Sequence, residues 1–172
     1  MNRLPFVVCL LVLLSACGGE SDTEAVAKAK TQLKQGDLPG AVIHLKNALD
    51  KNPSSAEARL LLGRTLLNSG DAAGALIELR KAQDAKAPED QVVPDIARAL
   101  LATGDGAKLI GEFGDKTLAS TPAMAELKTL LATAYAAQGA MQNAREATAQ
   151  ALRAQPGHAA AVVLNARLDA ST

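Results

Sequence analysis

The chain of 172 residues has no tryptophan, and aromatic residues make up only 2% of it. Strands draw on aromatic and β-branched side chains, so this scarcity weighs against a sheet protein. Hydrophobic content is still 48%, carried mainly by Ala, Leu and Val. Ala and Leu are the strongest apolar helix formers, and the composition points to closely packed helices. Cysteine is almost as rare: Cys9 lies inside an apolar N-terminal run and Cys17 at its end. Two such cysteines support neither a disulfide framework nor a thiolate metal site. Lys+Arg and Asp+Glu each total 18, so no net field draws the chain to nucleic acid or acidic lipid.

Chemical motifs are missing as well. The sequence has no P-loop, no GxGxxG after a strand, no HExxH and no GxSxG. No catalytic residue, metal site, cofactor or small-molecule substrate is expected, and the chain does not read as an enzyme. His44 and His158 stand apart from any acid or cysteine at ligand spacing and read as solvated surface groups. A sugar-active accessory enzyme would need paired carboxylates in a cleft, and nothing in the sequence places them.

What is present begins at the N-terminus. Met1-Asn2-Arg3 is a short positive start, Leu4 to Leu14 is apolar apart from Pro5, and Ser15-Ala16 are small. This is the layout of a secretory signal. The apolar run is about a dozen residues, short of the roughly 20 that span a bilayer as a helix. Leu14-Ser15-Ala16-Cys17 resembles the lipobox of bacterial lipoproteins. That resemblance implies a cleaved signal over 1–16, lipidation at Cys17 and a tether over 17–22 containing Gly18-Gly19. It also implies a periplasm-facing protein anchored to a bacterial membrane, the outer membrane in diderm hosts because Gly rather than Asp follows the cysteine.

The rest of the chain repeats. Gly36, Gly70, Gly104 and Gly139 are separated by 34, 34 and 35 residues, and Asp follows the first three. Pro53, Pro88, Pro122 and Pro156 recur at 35, 34 and 34. Each Gly falls between two helical patterns, where a left-handed helix stop is needed. Each Pro falls after the second pattern, which it cannot continue. The unit is therefore helix, Gly turn, helix, Pro break.

These units resemble tetratricopeptide repeats. The second is fullest, with Leu62-Gly63, Leu66, Gly70, Ala75, Leu79, Ala82 and Pro88. The first carries Ala29, Gly36, Ala41, Leu45, Ala48 and Pro53, and the fourth Leu131-Ala132, Tyr135, Gly139, Ala144, Ala151 and Pro156. Small residues let helices approach, and stability comes from stacking on neighbours. The resemblance implies an all-α, right-handed solenoid with repeats over 23–55, 56–89, 90–123 and 124–158. Residues 159–172 would be a capping helix or the start of a fifth repeat. The third unit departs from the pattern. Gly106, Gly111 and Gly114 fall in its second helix, Leu109 replaces a small residue, and this helix is expected to be the weak point.

Lys30, Arg64 and Arg98 are spaced by 34 and 34, and Arg167 follows 69 later, with Thr133 at the intervening place. In tetratricopeptide stacks this first-helix position lines the concave groove, as does the position three residues on, here Leu33, Leu67 and Leu101. Two readings of the ladder stand: a ligand with acidic groups or a free carboxylate, or pairing with acids of adjacent repeats.

Ala41-Val42-Ile43-His44-Leu45-Lys46-Asn47-Ala48-Leu49, Ala56 to Gly63 and Pro88 to Leu101 narrow the likeness. They resemble the N-terminal part of tetratricopeptide lipoproteins of the exosortase and PEP-CTERM sorting system. This implies a membrane-anchored scaffold that binds protein partners in envelope protein sorting or exopolysaccharide export. Lipoproteins of type IV pilus biogenesis or outer-membrane protein assembly share the same features and remain the alternative.

Overall fold

The computed structural model describes residues 21–170, which form nine α-helices and no strand. The expected signal over 1–16, the lipidated Cys17 and the start of the tether lie outside the described residues. The helices are α1 (Asp22–Gln35), α2 (Leu38–Lys51), α3 (Ala56–Asn68), α4 (Ala72–Asp84), α5 (Glu89–Ala102), α6 (Gly106–Phe113), α7 (Thr121–Ala137), α8 (Met141–Ala154) and α9 (Ala159–Asp169). None of them is long and apolar enough to cross a membrane. The tether gives way to helix one residue earlier than expected. Ser21 caps α1, with its hydroxyl accepting from Glu24 N–H while the Glu24 carboxylate accepts from Ser21 N–H.

Four turns show how the sequence sets the fold. Gly36, Gly70, Gly104 and Gly139 all have positive φ, between 75° and 88°, a region that costs any residue with a Cβ. At each turn the glycine N–H and the next N–H reach back to carbonyls of the preceding helix. Asp37 N–H bonds to Gln32 O, Asp71 to Leu66, Asp105 to Leu100 and Ala140 to Tyr135, at 2.8–3.0 Å. Asp37 and Asp71 then start the next helix, their side chains accepting from Gly40 N–H and Gly74 N–H. A Cβ at Gly40 or Gly74 would lie 2.1 or 2.3 Å from that aspartate's oxygen, so glycine leaves the cap its room.

Each odd-numbered helix packs on the even-numbered helix that follows it, and from α3 onward on the next odd-numbered helix. No two even-numbered helices make comparable contact. The odd helices are the closer set, so they form the inner face of a curved stack and the even helices its outer face. Gly63 shows how tight the pairing is, because a Cβ there would sit 2.6 Å from the Leu79 side chain. Val26, Leu45 and Leu62 build one core between the first two repeats; Leu79, Ile96, Leu100, Leu109, Leu127 and Leu131 build the larger one through the centre.

The third repeat differs from expectation. The helix α6 has eight residues where the other outer helices have 13 or 14. Gly106 is its first residue and Gly114 its cap, leaving only Gly111 inside it. Leu109 is fully buried, so its bulk fills the core. Pro122 does not end the second helix of this repeat, but sits in the first turn of α7, where the missing N–H goes unused. Pro88 likewise precedes α5 as its cap residue. Between them, the loop after α6 is pinned to the start of α5. The Asp90 carboxylate accepts from Ala119 N–H and Ser120 N–H at 3.0 Å, and Lys116 pairs with Glu89 at 2.8 Å.

The helix α9 stacks as a fifth inner helix, burying Ala161 and Leu168 and leaving Val162 and Val163 about half exposed. One left-handed residue was not legible in the glycine pattern: Lys86, at φ 65°, closes α4.

Candidate partner-binding face

The inner face carries every residue of the basic ladder, because a 34-residue unit returns the same helix position to the same side. Each of the first three cations reaches an acid of the following repeat. Lys30 Nζ lies 2.6 Å from Glu57. Arg64 Nε donates to Asp95 Oδ2 at 2.6 Å, and its Nη2 donates to the Gln91 carbonyl. Arg98 donates to Asp95 Oδ1 at 3.1 Å and to Glu126 Oε1 at 2.8 Å. His158 Nε2 stands 3.3 Å from the other Glu126 oxygen without the alignment of a hydrogen bond. An ionic chain thus runs from Arg64 through Asp95 and Arg98 to Glu126, across the second to fourth inner helices, with His158 of the fifth beside its end.

Burial separates the links of this chain. Lys30 and Glu57 are both about half exposed, a class of pair worth at most about 1 kcal/mol. Asp95 has a side chain only 7% exposed, with both oxygens held by guanidinium groups. Removing one arginine would leave a buried acid poorly compensated, which costs far more than an exposed pair. Pairing between repeats therefore describes these three cations in the free protein, with 37% of Arg64 and 47% of Arg98 still open to solvent. Arg167 is exposed and, among the described residues, makes no ion pair.

Leu33, Leu67 and Leu101 are half buried along the same face, and the last two also pack on the central core. A recess of about 270 Å³ opens beside Thr23, Ala27, Lys30 and Glu57. Another of about 420 Å³, more apolar, opens beside Thr133, Val163, Leu164 and Arg167. Between them the Arg64–Asp95–Arg98 cluster fills the middle. The acids Asp95 and Glu126 escaped the sequence reading, although each lies 28 to 31 residues beyond a ladder cation.

Two expectations need correction. Neither histidine is a solvated surface group. The His158 side chain is 16% exposed, and His44 is half buried with its Nδ1 unpartnered among the described residues. Two carboxylates do share a recess, on the outer side: Asp115 and Glu146 line the space beyond the short α6. Lys128 lines it too, its Nζ donating to Gly114 O at 3.0 Å. Burial holds the Lys128 amine below the usual lysine range, and only the charge of Asp115 opposes that. Among the described residues no three His, Cys, Asp or Glu groups gather as metal ligands.

A family model described as Tetratricopeptide repeat matches residues 26–90 and 95–159. Solved structures share the fold at low identity. One titled as the crystal structure of MamA protein superposes with a TM-score of 0.71 at 20% identity, covering 88% of this chain and 82% of that one. YrrB, titled a TPR protein with an unusual peptide-binding site, gives 0.66 at 17%, covering 88% and 78%. The pilF protein of Pseudomonas aeruginosa gives 0.69 at 18%, covering 87% and 68%. No curated protein matches the sequence.

Proposed function

Because the chain belongs to the tetratricopeptide repeat family, we propose that it holds an extended segment of a protein partner against its inner face, as a membrane-anchored scaffold of the bacterial envelope. The observation that carries this reading is the inner face itself, where Leu33, Leu67 and Leu101 stay half open beside a continuous row of charges. Alternating signs leave that row almost neutral, which favours side-chain fit over long-range charge attraction. With no Trp or Tyr anchor on this face, affinity is spread over several repeats. The peptide-binding site named in the YrrB title supports the same use of a similar fold. The lipobox-like Cys17 supports anchoring, and the resemblance of the 41–49 and 56–63 segments supports work in protein sorting or exopolysaccharide export. Pilus biogenesis and outer-membrane protein assembly are the second reading, which neighbouring genes would separate from the first.

The test places a photo-crosslinking residue at 33, 67 or 101, and at 43 or 77 on the outer face, in the membrane-anchored protein. Adducts from the inner positions with none from the outer ones would support the reading. Adducts from positions 43 and 77 alone would overturn it.

A further inference from the structure

The third repeat leaves a gap in the outer layer, away from the inner face. After Phe113 the chain turns away and is tied to the start of α5 through Asp90 and Glu89. The space where further turns of α6 would lie opens between α6, α7 and α8. Two connected recesses, of about 180 and 370 Å³, share Gly114, Asp115, Lys128 and Gln150.

The smaller recess is lined mainly by polar groups and the larger by polar and apolar groups together, and most of the polar side chains are unengaged. An ammonium has three N–H donors, and in the protein Lys128 uses one, on Gly114 O. The side chains of Tyr135, Asn143, Glu146 and Gln150 make no hydrogen bond among the described residues. The Tyr135 hydroxyl lies close to Gly114, 3.5 Å from where a Cβ would stand. Charge is balanced, with Lys128 and Arg153 against Asp115 and Glu146. Met124 supplies an apolar patch on the same wall.

We propose that this recess is a binding site for a neutral sugar unit of hexopyranose size. A small anion or cation would meet as many like charges as opposite ones here. A polyol differs, because each hydroxyl both donates and accepts, and the lining offers amides, carboxylates, a phenol and an amine that answer both needs. The combined space lies in the range of small-molecule sites. Asp115 and Glu146 are exposed carboxylates that accept hydrogen bonds from sugar hydroxyls.

The experiment is an amide-shift titration of the full chain with methyl glucoside, methyl galactoside and N-acetylglucosamine, against acetate, ethylammonium and glycine as charged controls. At least one neutral sugar is expected to shift Tyr135, Asn143, Glu146 and Gln150, and no charged probe. Asn143→Ala and Glu146→Ala, both at exposed and unbonded positions, should keep the melting temperature and each weaken the sugar about tenfold. The proposal is overturned if no sugar shifts the recess, if a charged probe does so instead, or if both variants bind unchanged. Partner crosslinking at the inner face is read separately and does not depend on this result.

Discussion

The second and third repeats begin alike and end differently. In both, an inner helix stops at a left-handed glycine, and an aspartate follows. In the second, Asp71 caps α4 through Gly74 N–H, and α4 runs 13 residues. In the third, Lys108 stands where that glycine would be, Asp105 makes no cap bond, and α6 stops after eight residues. Yet the inner layer carries on, with Arg64 and Arg98 meeting at Asp95 inside this same repeat. The defect is confined to the outer layer, and the face proposed to bind a partner stays continuous.

The largest test of that comparison is packing. Leu79 on α4 and Leu109 on α6 are both fully buried. Leu79→Ala and Leu109→Ala should each cost about 3 kcal/mol in denaturant unfolding. A cost below about 1 kcal/mol at Leu109 would mean that α6 is not docked.

Glycines sharpen the contrast with opposite signs. Gly63→Ala forces a Cβ against Leu79 and should destabilise by about 1–2 kcal/mol. Gly111→Ala meets nothing within 4 Å and should stabilise α6 by nearly 1 kcal/mol through helix propensity. Thermal melts of the two variants would read the difference directly.

Caps come next. Asp71→Ala should lose about 1 kcal/mol, whereas Asp105→Ala, with no cap bond to lose, should cost less than about half of that. Equal losses in chemical unfolding would erase the distinction between the two repeats.

The smallest effect is a pH dependence where α4 meets α3, at the Arg59–Glu78 pair. Burial raises the Glu78 carboxyl, but hydrogen bonds and charges from Arg59 and Lys81 outweigh it and leave it below its usual value. A lowered pKa in the fold adds stability above the ordinary carboxylate range, and that stability is lost as pH falls through the lowered value. Glu78→Gln should flatten the acid side of a stability–pH curve by less than about 1 kcal/mol.

Period and punctuation made most of this legible. Four glycines at near-constant spacing located every left-handed turn after an inner helix, and the small residues at Gly63, Ala75 and Ala82 marked close helix contacts. The end of α6 was not legible, because the loop after it is held by Asp90 and Glu89, acids that read as ordinary helix-start charges. The turn at Lys86 was hidden too, since lysine carries no sign of positive φ. On the inner face the cations were visible through their register. Their acids were not, because Glu57, Asp95 and Glu126 occupy two different helix positions and so break the 34-residue spacing.

Hydrogen exchange along the whole chain tests the central claim most directly. Amides of α6 should exchange faster than those of α2, α4 and α8, while α5 and α7 stay as protected as α3. If α5 and α7 exchange as fast as α6, the third repeat divides the stack in two, and no continuous inner face exists.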